Sequence, residues 1–245
     1  MTAEPSVPVR KVHVWDMPTR LFHWSLVLLI LASWFTGGED DTALLHRASG
    51  MALAGLIVFR IVWGFIGGEH ARFLTFIPWP GRVLRHVKQV AEGKPERHLG
   101  HNPVGGGAVF LLLGTVSLCV VTGLMSNGEG LTGPFAAIAP FEMSEVHEAS
   151  FRVLQALVVV HLLGVAVESW IAKDALVPAM VTGSKVRRAD EAGTDARRAP
   201  LAALIVALLI AGGVSAWLWS LPSPAGFERG NDDHGRHDRD DRGWD

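Results

Sequence analysis

The residues with the clearest chemical potential in this chain are His147 and His161, which lie fourteen residues apart on one strongly apolar segment. Fourteen residues are close to four helical turns, so both imidazoles project from nearly the same face, about 21 Å apart along the axis. That separation is most of the ~30 Å thickness of a bilayer core. An ionisable side chain inside a membrane is costly and indicates a functional site. Two on one face predict two stacked cofactors held by imidazoles, for which haem is the candidate.

Five apolar segments are long enough to cross a membrane and to position these histidines. The chain has 245 residues, of which 49% are hydrophobic, and its mean hydropathy is positive, which is unusual for a soluble protein. The predicted spans cover residues 21–37, 46–67, 104–125, 146–172 and 200–221. The sequence therefore predicts an all-α integral membrane helical bundle, with a four-helix di-haem core and a fifth, C-terminal transmembrane helix.

Positive charge alternates between the segments that join the spans. Lysine and arginine occur before the first span, between the second and third, and between the fourth and fifth, whereas residues 38–45 and 126–145 contain neither. Cytoplasmic loops carry an excess of positive charge in membrane proteins. The N-terminus is therefore predicted in the cytoplasm and the C-terminal tail on the outer side.

Four histidines fall into two pairs when they are matched by depth. His23 starts the first span on the inner side, and His46 starts the second span on the outer side. The fourth span runs inward, so His147 lies at the outer level and His161 deeper. The predicted pairs are His46 with His147 and His23 with His161, each supplying both axial ligands of one haem iron. Filled axial positions leave no site for oxygen or substrate, so such centres transfer electrons.

Three arginines are candidate partners for the propionates of these haems. Arg60 follows His46 by fourteen residues and should share its face near the inner level, while Arg47 and Arg152 lie near the outer level. The planar guanidinium is well suited to a carboxylate. For Arg60 the alternative is snorkelling to the headgroups.

The remaining histidines and the single cysteine are predicted to have ordinary roles. One cysteine excludes an internal disulfide, a cysteine-held iron–sulfur cluster and covalent haem attachment, and Cys119 is expected to be a packing residue. Five further histidines lie in segments predicted to be on the cytoplasmic side and are expected to be solvated: His13, His70, His86, His98 and His101.

The domain organisation follows from the spans. Residues 1–20 form a cytoplasmic N-terminal segment, 21–172 the four-helix core with an amphipathic cytoplasmic loop at 68–103, and 173–199 a cytoplasmic linker before the fifth span at 200–221. Residues 222–245, rich in Asp, Arg and His, are expected to be a disordered periplasmic tail. Within the loop, residues 81–91 have the pattern of a helix lying on the membrane surface, the alternative being a soluble loop helix.

Several stretches together resemble the bacterial cytochrome b561 family, which includes the b-type cytochrome subunits of nickel–iron hydrogenases. They span roughly residues 12–172 and comprise VWDMPTRLFHW (14–24), HRASG (46–50), RIVWGFIGGEHARF (60–73), HNPVGGGAVFLLLG (101–114), TG (122–123) and HEASFRVLQALVVVH (147–161). The resemblance implies two non-covalent b haems on His23, His46, His147 and His161. It also implies a respiratory-chain role in the bacterial inner membrane, carrying electrons between membrane quinone and a redox partner. The fifth span and the tail lie outside it.

The expected partners are quinone, membrane lipid and a periplasmic redox protein, either a c-type cytochrome or hydrogenase or dehydrogenase subunits, and no nucleic acid. The outer loops are too short to form a redox domain, so the partner is expected to be another chain. Because haems with two histidine ligands offer no substrate site on iron, we expect a non-catalytic electron-transfer subunit rather than a stand-alone quinol oxidase. A quinone site is expected on the cytoplasmic side near His161, Arg60 and the GGEHARF turn (67–73). The alternative is that this segment is a simple loop turn. The alternative function is a haem-free transporter or scaffold that uses the buried histidines as a proton relay.

Overall fold

A computed structural model describes residues 9–38, 40–94, 96–128, 131–188 and 194–221. The helices are α1 (Met17–Thr36), α2 (Ala43–Ile66), α3 (Pro80–Ala91), α4 (Pro103–Met125), α5 (Ser144–Ile171), α6 (Leu176–Thr182) and α7 (Leu201–Ser220). The strands are β1 (Val9–His13), β2 (Asn127–Gly128), β3 (Leu131–Thr132) and β4 (Ser184–Arg188). Five helices, α1, α2, α4, α5 and α7, are long and apolar enough to cross a membrane. The all-α membrane bundle predicted from the sequence is thereby confirmed, and the proposed tail at 222–245 lies outside the described residues.

Two of the spans have well-defined N-terminal caps. Asp16 accepts a hydrogen bond from the Thr19 amide at 2.8 Å, and Pro18 occupies the first turn of α1, an arrangement that starts a helix. As a result α1 begins four residues earlier than the predicted span, and His23 lies in its second turn. Asn102 caps α4 in the same way, through the Gly105 amide at 2.6 Å, as the Asn–Pro pair predicts.

The second span, α2, lies at the centre of the bundle. It packs against α1, α4 and α7, and α5 packs against α4. About half of its apolar stretch is buried, a larger share than in any of the other four spans. Where α7 crosses α2, a Cβ added at Gly55 would meet the Ser215 hydroxyl, so the small residue permits close helix packing. The fifth helix is thus part of the bundle core.

Two small antiparallel sheets are added to the helices. β1 pairs with β4 in the register Val9↔Arg188 to His13↔Ser184, and β2 pairs with β3. The first pairing joins the predicted N-terminal segment to the predicted linker after α5. We refer to the end of the bundle that carries this sheet, α3 and α6 as the sheet end. Neither strand is predicted from the sequence, because the two partners are separated by some 170 residues.

A buried ionic cluster fixes the sheet end. The carboxylate of Asp174, in the turn between α5 and α6, lies 2.9 Å from Lys185 Nζ and 3.4 Å from an Arg97 nitrogen. Arg187 is 3.8 Å away, and both β4 cations also donate to the carbonyl of His98. Because the side chains of Asp174, Lys185 and Arg187 are almost fully buried, the cluster ties β4 to the segment that precedes α4.

Candidate functional site

At the end of the bundle opposite the sheet, His46 of α2 faces His147 of α5. Their ring centroids are 6.1 Å apart and the ring planes are nearly perpendicular, at 89°. His46 lies in the first turn of α2 and His147 in the first turn of α5. The structure therefore brings together the two histidines that depth matching pairs at this level.

Hydrogen bonds define the tautomer of both rings. His46 Nδ1 lies 2.9 Å from the carbonyl oxygen of Ser33 in α1, and His147 Nδ1 lies 2.8 Å from the carbonyl oxygen of Cys119 in α4. A carbonyl oxygen only accepts, so each Nδ1 carries the hydrogen and donates it. Each Nε2 is then left with its lone pair, as in a metal-ligating histidine whose other nitrogen is anchored to a carbonyl.

Two glycines make room for these imidazoles. A Cβ at Gly123 would lie 2.9 Å from Cε1 of His147, and one at Gly37 would lie 3.3 Å from Cε1 of His46. Any larger residue at Gly123 would displace the ring. The TG pair at 122–123 is the sequence signal for this contact, although the sequence alone does not connect it with a histidine.

The spacing of the two rings suits an iron atom between them. Two metal–nitrogen bonds of about 2 Å hold opposed imidazole nitrogens ~4 Å apart, and the centroids behind those nitrogens are then separated by ~6 Å. Among the described residues, no group of three or more His, Cys, Asp or Glu side chains could hold a metal ion by itself. A pair of imidazoles with no further protein ligand suits a metal whose remaining ligands come from a macrocycle.

The second predicted pair, His23 and His161, lies nearer the sheet end. His23 is in the second turn of α1, and His161 lies ten residues before the end of α5. His23 Nδ1 is buried and has no hydrogen-bond partner among the described residues, and the His23 ring contacts Trp24 edge-on at 5.1 Å. The unsatisfied nitrogen of His23 fits a second group held between the rings of His23 and His161.

Arg60 is the buried one of the three predicted arginines. It is 4% exposed, its Cζ lies 4.5 Å from the ring centroid of Phe73, and it donates to the carbonyl of Ala71 at 3.1 Å. The GGEHARF turn therefore folds back over α2 and encloses the guanidinium. The alternative of snorkelling to the headgroups does not describe this side chain, since aromatic rings surround it.

Arg47 and Arg152 have other partners. Arg47 donates to the carbonyl of Leu221 at 3.4 Å and lies 6.0 Å from the Trp219 ring, at the end of α7. Arg152 forms an exposed ion pair of 2.9 Å with Glu148, one turn earlier on α5. The contacts of these two residues are with the fifth span and with their own helix, so neither is enclosed as Arg60 is.

The expectation that all five remaining histidines are solvated is wrong for His101 and His86. The His101 ring packs 4.7 Å from Trp15 and 4.4 Å from Phe76, because the loop before α4 folds against the sheet end. Burial, followed by the nearby charge of Arg60, lowers the pKa of His101 to about 3. Its Nδ1 is buried with no hydrogen-bond partner in the described part of the chain. His101 is therefore a neutral, unsatisfied imidazole close to Arg60.

His86 is buried because α3 packs against the spans. It is 2% exposed, its Nε2 lies 3.4 Å from a carboxylate oxygen of Glu168 on α5, and its ring is 5.4 Å from His98. An amphipathic pattern read from the sequence indicates which side chains are apolar, but it does not reveal that a polar one faces a neighbouring helix.

Comparisons with known proteins point to one family. Residues 14–183 match the model of a family described as prokaryotic cytochrome b561. Two similar proteins bear the name probable Ni/Fe-hydrogenase B-type cytochrome subunit, and a third bears the name probable Ni/Fe-hydrogenase 1 B-type cytochrome subunit. One from Azotobacter chroococcum mcd 1 is 30% identical, over 77% of this chain and 95% of the relative. One from Rhizobium leguminosarum bv. viciae is 26% identical, over 75% and 92%.

The third, from Escherichia coli strain K12, is 24% identical, over 70% of this chain and 89% of the relative. No solved structure matches the chain. The family match covers more than half of the sequence and includes α1, α2, α4 and α5 with all four paired histidines. The chain therefore belongs to the prokaryotic cytochrome b561 family and is a multi-pass membrane cytochrome of the b type that serves electron transport.

Proposed function

We propose that this chain is a di-haem electron-transfer subunit that connects the membrane quinone pool with a periplasmic nickel–iron hydrogenase. The observation that carries the proposal is the opposition of His46 and His147, with ring centroids 6.1 Å apart and both Nδ1 atoms anchored to carbonyls. Membership of a cytochrome b family argues against the alternative of a haem-free transporter or scaffold.

His46 and His147 would hold one haem b, and His23 and His161 the other. When bound, haem b supplies one-electron chemistry at its iron, and two axial histidines leave no open position for a substrate. The protein's contribution is then to orient the imidazoles and exclude water. The two pairs lie near opposite ends of the bundle, so together they would provide a route for electrons across the membrane.

Among the arginines, Arg60 is the strongest candidate for a haem propionate at the level of His23 and His161. It is buried and already oriented by Phe73 and the Ala71 carbonyl. Its guanidinium has further donors for a carboxylate. Arg47 and Arg152 remain weaker candidates at the other level, because each is already engaged elsewhere.

The sheet end is proposed to face the cytoplasm of a bacterial cell and the His46–His147 end the periplasm. Lysine and arginine are concentrated in the segments at the sheet end and are absent from residues 38–45 and 126–145, which is the distribution of the positive-inside rule. Reporter fusions after residue 128 and after residue 188 would test it. An alkaline phosphatase fusion active only at the first position would support the proposed orientation, and the reverse would contradict it.

A quinone headgroup would bind at the sheet end beside Arg60 and His101. His101 offers a neutral ring with an unsatisfied nitrogen, Trp15 and Phe76 provide flat apolar surfaces, and His70 from the GGEHARF turn lies 6.3 Å from Trp15. Hydrogen-bond donors between aromatic rings suit a planar carbonyl compound. This refines the quinone site expected from the sequence, which did not include His101.

A nickel–iron hydrogenase is proposed as the partner because similar proteins are named as hydrogenase cytochrome subunits. A periplasmic c-type cytochrome or another dehydrogenase is the second candidate. Co-purification with each candidate, followed by haem reduction under hydrogen, separates them. Reduction by hydrogen only in the presence of the hydrogenase supports the first, and reduction solely through another dehydrogenase contradicts it.

The experiment that tests the core of the proposal is the haem b content of the detergent-purified protein, measured as the pyridine haemochrome. Two haems per chain are expected, both reducible by a quinol analogue. One haem would contradict one of the two histidine pairs. Folded protein that takes up no haem would overturn the electron-transfer function itself, and two haems that no quinol reduces would overturn the quinone linkage alone.

A further inference from the structure

Helix α3 presents three distinct faces, and one of them packs against the spans. Val83, His86 and Val90 are partly or fully buried on this face, with His86 directed at Glu168 of α5. Glu168 lies three residues before the end of α5, and α3 also packs against α4. The helix therefore lies at the sheet end of the bundle, level with the ends of the membrane spans.

The second face of α3 is apolar and exposed. Leu84 is 73% exposed and Val87 49%, and Ala91 continues the same face one turn later. The segment leading into the helix adds two large exposed apolar side chains, Leu74 and Trp79. Leucine, valine and tryptophan side chains grouped on one surface mark an interaction site when nothing in the protein covers them.

The third face carries positive charge. Arg82, Arg85 and Lys88 are exposed and recur at every third residue, with Lys88 3.8 Å from Glu92 in an exposed pair. At 100° per residue, Lys88 and Arg85 lie about 40° and 100° from Leu84 on the helical wheel, so basic side chains border the apolar face on the side away from the buried face. An apolar face bordered by lysine and arginine is the pattern of a helix that lies in the headgroup region of a membrane.

We propose that α3 forms a binding surface for anionic phospholipids of the adjacent leaflet. Leu84, Val87 and Trp79 would enter the boundary between headgroups and acyl chains, while Arg82, Arg85 and Lys88 bind phosphate oxygens. The charge of this face selects an acidic lipid surface over an apolar protein partner, and the surface is continuous with the lipid-facing sides of α4 and α5. Lipid binding at α3 requires neither a particular number of haems nor quinone.

Site-directed spin labels in nanodiscs test the position of the helix. In a Cys119→Ala background, a label at Leu84→Cys is expected to be more accessible to oxygen, which concentrates in the bilayer, than to a water-soluble nickel complex. A label at Arg85→Cys is expected to show the reverse. Both positions are exposed, so the substitutions leave the core intact. If the label at position 84 were more accessible to the nickel complex than to oxygen, the proposal would be overturned. If neither reagent reached the label, a protein rather than lipid would cover this face.

The lipid preference is tested by comparing phosphatidylglycerol with phosphatidylcholine retained on the purified full-length protein, counted by native mass spectrometry. The triple variant Arg82→Gln, Arg85→Gln, Lys88→Gln is expected to lose about tenfold or more in phosphatidylglycerol retention, since a cation near the surface contributes several-fold. The matched control removes three exposed cations elsewhere, Lys94→Gln, Lys173→Gln and Arg198→Gln, and should change retention far less. Equal losses in the two variants would overturn the proposal.

Discussion

His46 and His147 face one another at a centroid separation of 6.1 Å, with their rings at 89°. Each ring is oriented by a helix other than its own, His46 by the Ser33 carbonyl of α1 and His147 by the Cys119 carbonyl of α4. All four helices of the core therefore converge on these two side chains. The hydrogen bonds at Nδ1 leave both Nε2 atoms free to bind a metal. A hydrogen bond from Nδ1 to a carbonyl also fixes the orientation and basicity of a ligating imidazole.

The first prediction concerns the loss of one ligand from this pair. His147→Ala is expected to lower the haem content from two per chain to about one, because one axial imidazole does not hold a haem as firmly as two. The haem between His23 and His161 should keep its own spectrum and potential. The measurement is the pyridine haemochrome with low-temperature spectra of the purified variant.

Glu145→Gln is the control for that experiment, since it changes an exposed side chain in the first turn of the same helix that has no proposed part in haem binding. It should retain both haems. If His147→Ala also retained two haems, the assigned pairing would be refuted.

The second prediction concerns the space beside His147. A Cβ at Gly123 would lie 2.9 Å from the ring, whereas one at Gly114 on the same helix would meet nothing within 4 Å. Gly123→Val is therefore expected to displace the imidazole and to lose or shift the spectrum of one haem. Gly114→Val should leave both spectra unchanged. Identical spectra in the two variants would show that Gly123 has no part in the site.

The features recognised from the sequence are those with a local periodicity. Spans of about twenty apolar residues, the Asn102 cap, and histidines fourteen residues apart all depend on helical geometry, which short stretches of sequence reveal. The pairing of His46 with His147 was predicted from the depth of each histidine in the membrane. For that reason the spans and their histidines could be located before the structure was known.

The features that escaped prediction depend on contacts between distant segments. β1 and β4 pair across more than 160 residues, and strand partners that far apart leave no local signal. His86 and His101 look like solvated loop residues because their sequences are polar, yet the loop folds onto Glu168, Trp15 and Phe76. The partners that Arg47 finds at the end of α7 were hidden for the same reason.

The third prediction concerns the charge of Arg60. A buried cation near a haem stabilises the reduced, less positive state of the centre, so removing it lowers the reduction potential. Arg60→Gln is expected to lower the potential of the haem held by His23 and His161 while leaving the other unchanged. Redox potentiometry of the two spectral components measures this. A shift confined to the other haem would contradict the proposed location of Arg60, and retained haem content would show that the variant folds.

The fourth prediction concerns pH. The pKa of His101 is lowered from 6.5 to about 3 by burial, so below pH 6.5 the unfolded chain binds a proton that the native chain does not. Stability is therefore full above pH 6.5 and falls by about 1.4 kcal/mol for each pH unit down to roughly pH 3. Equilibrium unfolding of the detergent-solubilised protein at pH 7.5, 6 and 5 should show this slope. His101→Gln should reduce it, and an unchanged slope in that variant would assign the dependence to other groups.

The last prediction concerns the ionic cluster at the sheet end. Asp174→Asn would leave the buried ammonium of Lys185, now 2.9 Å from the carboxylate, without its counter-charge. Breaking a buried pair on one side typically costs ~3–5 kcal/mol, so the variant should unfold at a clearly lower temperature or denaturant concentration. Glu148→Gln breaks the Arg152 pair, which has the same 2.9 Å separation but is exposed, and should cost ~0.5 kcal/mol or less. Because the two pairs differ chiefly in burial, similar losses in both variants would contradict the view that β4 is held to the bundle by a buried carboxylate.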